Sequence, residues 1–213
     1  MNIFQSINAS VLTAVVVAMV VGAKDYFGGQ IAKGIFQLLY ANIEVMLFIS
    51  YLIVTKLKIT FDDHKYFESD DFKSSPFKAA HFLLAATSWM FWIFAGYFSH
   101  IPTYAAGFLG VSFIVSTLWV ILHAVESAWR IEPKITRNTV ERAFQDAVRS
   151  LRQQWVLINV IFIAVLLSYN YGLDRILLNG SPNFLGMPVA VLVLIGVLLY
   201  DIFISKPFDN LKL

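Results

Sequence analysis

In "ILHAVESAWR", residues 121–130, His123, Glu126 and Arg130 close an apolar run. Spacings of three and four place all three on one face of a helix. Glu126 and Arg130, at i and i+4, suit an ion pair along that face. His123 and Glu126, at i and i+3, have the spacing that helical bundles use to chelate metals. Such centres need two of these pairs, and the sequence offers one. A structural ion pair or a gating, proton-handling site therefore fits better than a metal. Asp201 in "LLYDIF" ends another apolar run. It is within reach of His123 or Arg130 across a bundle, or of Lys206 beyond its own helix.

A second polar line runs through residues 33–55. Lys33, Gln37, Tyr40, Glu44, Tyr51 and Thr55 fall within about 60° of one line at ~100° per residue. Glu44 is the one acid in the middle of an apolar run. An ionised carboxylate at that depth is costly, so the stripe is expected to face a protein interior or an aqueous path. Ser112, Ser116 and Trp119 extend the His123 line in the same way. A third group, Asp62, Asp63, His64, Glu68, Asp70 and Asp71, crowds "TFDDHKYFESDDFKSSPF". Its spacing matches no calcium loop, the glycine for a sharp turn is missing, and lysines interleave. It reads as a solvated, hairpin-like loop.

Recognisable catalytic chemistry is missing from the sequence. There is no G-x-S-x-G, H-E-x-x-H, phosphate-binding loop or G-x-G-x-x-G. With no cysteine, disulfides, thiolate metal sites and cysteine nucleophiles are excluded. The four histidines, at 64, 81, 100 and 123, are scattered over both sides of the expected membrane and make no haem pair or histidine box. No enzyme, cofactor or metal is expected.

The elements that hold these residues are membrane spans. The 213 residues are 58% hydrophobic and 14% charged, against about 45–50% and about 25% in soluble domains. A net charge of +2 is too small to predict nucleic-acid binding. A hydrocarbon core of about 30 Å needs roughly 20 apolar helical residues. Six segments qualify: 4–23, 35–55, 78–98, 104–125, 155–173 and 184–205. The first and fifth are the weakest, and the count falls to four or five if they lie flat. The first is read as a span rather than a signal peptide, because no Lys or Arg precedes its apolar run. Lys and Arg crowd the 56–78 connection, the 126–154 connection and the tail. These carry thirteen basic residues, against three (Lys24, Lys33 and Arg175) on the opposite side. That asymmetry predicts both termini in the cytoplasm of a bacterial inner-membrane protein.

The chain is thus expected to be all-α and polytopic, with one membrane domain over 1–213 and cytoplasmic excursions at 56–77 and 126–154. Val140, Phe144, Val148 and Leu151 follow one face of "TRNTVERAFQDAVRSLRQQW". This predicts an amphipathic helix from about 138, extending the fifth span into the cytoplasm and offering a docking face. Ala106 and Gly110 form a small-xxx-small pair that favours close helix contact. The expected role is a non-enzymatic, homo-oligomeric membrane subunit, channel-like or a sensor or scaffold. It would couple the lipid bilayer to a soluble cytoplasmic partner, by architectural analogy with components of prokaryotic stress or phage-defence systems. Two rivals are a small proton- or cation-coupled transporter using Glu44, and a membrane enzyme acting on lipid with His123 and Glu126 as acid and base.

Overall fold

A computed structural model describes residues 3–27, 43–130, 157–171 and 186–205. Among these there is no strand. Six long helices carry the structure: α1 (Ile3–Phe27), α2 (Ile43–Glu68), α4 (Lys78–Tyr97), α5 (Pro102–Arg130), α6 (Leu157–Tyr171) and α7 (Gly186–Tyr200). A single short turn of helix, α3 (Asp70–Ser74), links α2 to α4, and a π-helical turn, Asp201–Ser205, continues α7. Among the described residues, three stretches are long and apolar enough to cross a membrane: Ile3–Asp25, Lys78–Tyr97 and Pro102–His123. The chain is an α-helical protein with the make-up of an integral membrane protein.

The principal difference from the sequence reading lies in α2. Residues 56–68 are not a solvated loop. They continue the helix that begins at Ile43, and they run inside the bundle. Gln5 Nε2 lies 3.2 Å from His64 Nε2, and Asn8 Nδ2 donates to the Thr60 carbonyl at 2.8 Å. The second half of α2 therefore lies antiparallel to the first half of α1. Lys56 stands 5.7 Å over the Trp92 ring. Trp92 is about 21 Å from the start of α4 and about 8 Å from its end, at ~1.5 Å per residue. Lys56 is thus deep within the level of the apolar spans.

Burial around α2 explains why this is tolerated. Val54, Leu57 and Phe61 are exposed on one face, at 43%, 37% and 68%. Thr55, Lys56, Asp63, Tyr66 and Phe67 are buried on the others. Apolar groups point outward and charged groups inward, the reverse of a soluble helix. α5 repeats the pattern. Val111, Ile114, Leu118, Ile121 and Val125 form an exposed apolar ridge, while Ala105, Ala106, Leu109, Ser112 and Glu126 are buried. Ala106 and Gly110 thus face the interior of this chain.

Two close approaches set the rest. α4 and α5 run antiparallel and are joined by serines: Ser88 Oγ lies 2.8 Å from Ser112 Oγ, and Ser112 Oγ donates to the Ser88 carbonyl at 3.2 Å. Interhelix hydrogen bonds of this kind contribute about 0.6 kcal/mol each in lipid. α1 lies against α4 through glycines. A Cβ on Gly22 would fall 1.8 Å from the Tyr97 carbonyl oxygen, and one on Gly96 would fall 2.8 Å from the Val15 carbonyl oxygen. Both obstacles are backbone, which cannot rotate away.

Gly22→Ala should therefore separate α1 from α4 and lower the thermal unfolding midpoint in detergent, at a cost of about 1–3 kcal/mol. Gly196→Ala is the control. Nothing lies within 4 Å of a Cβ there, so the same change should leave the midpoint unchanged or raise it.

Candidate functional site

The first cluster sits where α2, α4 and α5 meet. His81 is fully buried on α4, on the face it shares with Ala85, Ser88 and Trp92. Its Nε2 lies 2.6 Å from Glu126 Oε2 on α5. Its Nδ1 is 3.0 Å from Trp119 Nε1 and 3.1 Å from the Tyr66 hydroxyl. An indole N–H can only donate. Nδ1 must then be the acceptor, Nε2 carries the ring proton, and Glu126 receives it. Trp119 therefore fixes the tautomer of a histidine that touches a buried carboxylate. Tyr66, Phe67, Phe72, Trp119 and His123 wrap the pair; the Tyr66 ring lies edge-on to Trp119 at 5.3 Å and to His123 at 5.2 Å. This aromatic wall lowers the local dielectric and strengthens the His81–Glu126 bond.

The second cluster is a charged row on the inner faces of α2. Lys58 bridges Asp62, one turn on, and Asp201, the first residue of the π-helical turn. π-helical turns are uncommon and collect at functional positions. Asp63 accepts from Trp89 Nε1 at 3.0 Å, with the Lys56 ammonium on the same face of α2, seven residues earlier. Lys56 Nζ is buried without a hydrogen-bond partner, facing the Trp92 ring. Lys58, Asp62, Asp63 and Asp201 border a cleft of about 90 Å³ between α2, α5, α6 and the end of α7. A water needs roughly 10–15 Å³ measured this way, so the cleft has room for several waters or one small solute. Its walls combine Lys58, Asp62, Asp63 and Asp201 with Thr55, Ser116 and Asn159, and with the rings of Phe113, Trp119 and Phe162.

The predicted residues divide accordingly. His123 lines the cleft, its ring 5.2 Å from that of Tyr66 and 6.3 Å from that of His81. Glu126 is buried, and its Oε2 is taken by His81 on another helix. Asp201 meets Lys58, a residue that had been assigned to a solvated loop. Tyr51 and Thr55 face the interior, each 1% exposed. Glu44 lies in the first turn of α2, but its side chain, like that of Arg130, is outside the described residues. Gln37, Tyr40 and the docking residues Val140, Phe144, Val148 and Leu151 also lie outside them. Sequence reasoning missed His81, Lys56 and Lys58. Among the described residues no group of three His, Asp or Glu is placed to hold a metal ion.

The tautomer assignment has a direct check. With ¹⁵N-labelled histidine and His81→Gln for assignment, the neutral His81 ring should show the Nε2–H tautomer. Trp119→Phe removes the Nδ1 partner that can only donate and leaves the Tyr66 hydroxyl there, so the Nδ1 signal should move and the tautomer preference weaken. Identical spectra for the two proteins would remove Trp119 from this role. Compared with known proteins, the chain matches no family, no curated protein and no solved structure.

Proposed function

We propose that this protein is a small cation-coupled membrane carrier whose working site is the cleft between α2, α5, α6 and the end of α7. The observation that carries the reading is the placement of Lys58 between Asp62 and Asp201, bordering a cavity at the level of the apolar spans. A charged side chain costs up to about 2.5–3.5 kcal/mol on insertion, most at the bilayer centre, and this row lies toward the end of the spans at which Asn8 and Gln5 meet Thr60 and His64. Buried ion pairs return little of that, and well-packed apolar residues would hold the helices as well or better. A protein serving only as an anchor has no use for this row. A carrier does, because it must offer a passing charge partners inside the membrane and then give it up.

This reading keeps the transporter expected as an alternative from the sequence, but moves its centre from Glu44 to the cleft. The oligomeric sensor or scaffold, the first expectation, rests on the two polar stripes, on the absence of catalytic motifs and on the helix from about 138, whose docking residues lie outside the described residues. No observation favours a lipid enzyme over the carrier.

The test is electrical. Proteoliposomes adsorbed on a solid-supported membrane are given concentration jumps of protons, sodium, potassium and small organic ammonium ions. Wild-type protein should displace charge on at least one of these jumps. Asp62→Asn and Asp201→Asn should lower that signal by at least about tenfold, equivalent to ~1.4 kcal/mol, with helix content and elution profile unchanged. A wild-type protein indistinguishable from empty liposomes on every jump would overturn the reading.

A further inference from the structure

We infer that the cleft binds a small primary ammonium ion, and that Lys58 occupies the position of that ligand when it is absent. The inference rests on the carrier reading and names its cargo class.

Three observations converge. First, the cleft has an excess of acid. Among the described residues Asp62, Asp63 and Asp201 line it with Lys58, and Lys56 stands beside Asp63 on α2, so three carboxyl groups meet two ammonium groups. An added cation would move the site toward neutrality in a region where net charge is costly. Second, two of those carboxylates, on different elements, already converge on one ammonium, that of Lys58. An ammonium has three donors spread around a single nitrogen, and Asp62 and Asp201 satisfy two of them. The neighbouring Thr55 hydroxyl lines the same cleft, on a residue 1% exposed, beside the Tyr51 hydroxyl one turn back. It is a ready third acceptor. Third, Phe113 and Phe162 stack at 4.9 Å on the wall, and Trp119 adds a ring face. Aromatic faces favour organic cations, whereas the described residues form no metal-holding group.

The arrangement also couples binding to structure. Lys58–Asp201 ties α2 to the turn after α7. A ligand ammonium that takes Asp201 displaces Lys58 on its flexible four-carbon stem, leaving it with Asp62 on its own helix. The tie between the two elements is then released. Occupancy of the cleft thereby loosens the contact that must change if the site is to open to the other side.

The experiment is equilibrium binding to the full chain in nanodiscs, without a gradient. The probes are ethylammonium, tetramethylammonium, sodium and acetate at matched ionic strength. Ethylammonium should bind saturably. Tetramethylammonium, which has no N–H, should bind at least about tenfold more weakly, the loss expected from ~1.4 kcal/mol. Asp201→Asn should weaken ethylammonium. Lys58→Met should strengthen it, because the tethered competitor is gone while both carboxylates remain. A purely structural Lys58 would not give that gain. No saturable ethylammonium binding by wild type and Lys58→Met, or equal binding of acetate, would overturn the inference. Currents on proton or sodium jumps with no ethylammonium binding would sink this inference alone. Binding without any current would sink the carrier reading alone.

Discussion

Everything in the bundle answers to the desolvation of the charges on α2. Lys56, Lys58, Asp62 and Asp63 lie beside helices apolar enough to cross a membrane. Each ion must therefore find a partner within the protein. Lys58 takes a carboxylate from its own helix and one from the turn after α7. Asp63 takes an indole N–H from α4. The packing of α2 is set by these demands as much as by its apolar residues, and the exposed ridge of Val54, Leu57 and Phe61 is the complement left to face lipid.

Two kinds of polar interior coexist as a result. The His81 group is closed: every ring nitrogen has a partner, aromatic rings seal it, and its tautomer is determined by a donor-only neighbour. The Lys58 group is open on one side to a cleft, and its bonds can be exchanged for bonds to a solute. The first has the character of a fastening between α4 and α5, the second that of a working site. Tyr66 joins them, with its hydroxyl on His81 and its side chain in the cleft wall.

The fold was legible where one residue's character decides its environment. α1, α4 and α5 stand out by length and hydropathy, and their observed ends lie close to those expected. The second half of α2 was obscured because a hydropathy average counts Lys56, Lys58, Asp62 and Asp63 as loop residues whether or not they neutralise one another. A period was present: Val54, Leu57 and Phe61 on one face, Lys58 and Asp62 one turn apart on another. The line through Tyr51 and Thr55, both buried, continues past residue 55, where it becomes more polar. The His81–Glu126 and Lys58–Asp201 contacts join residues far apart in sequence. No local spacing encodes them: spacing along one helix points Glu126 only to Arg130, and nothing in the run that ends at Asp201 points to Lys58.

The charged inner faces of α2 also constrain biogenesis. The charged residues of α2 add to its insertion cost, by up to roughly 2.5–3.5 kcal/mol for one held at the centre, reduced in part by the Lys58–Asp62 pair within the helix. A segment of that kind does not partition into lipid as an independent unit. It must leave the translocation channel together with α1, whose Gln5 and Asn8 meet its polar side, and wait there, incompletely neutralised, until α4 brings Trp89 and the turn after α7 brings Asp201. Helix α2 is therefore the point at which a chain interrupted during synthesis would be recognised as unfinished and degraded.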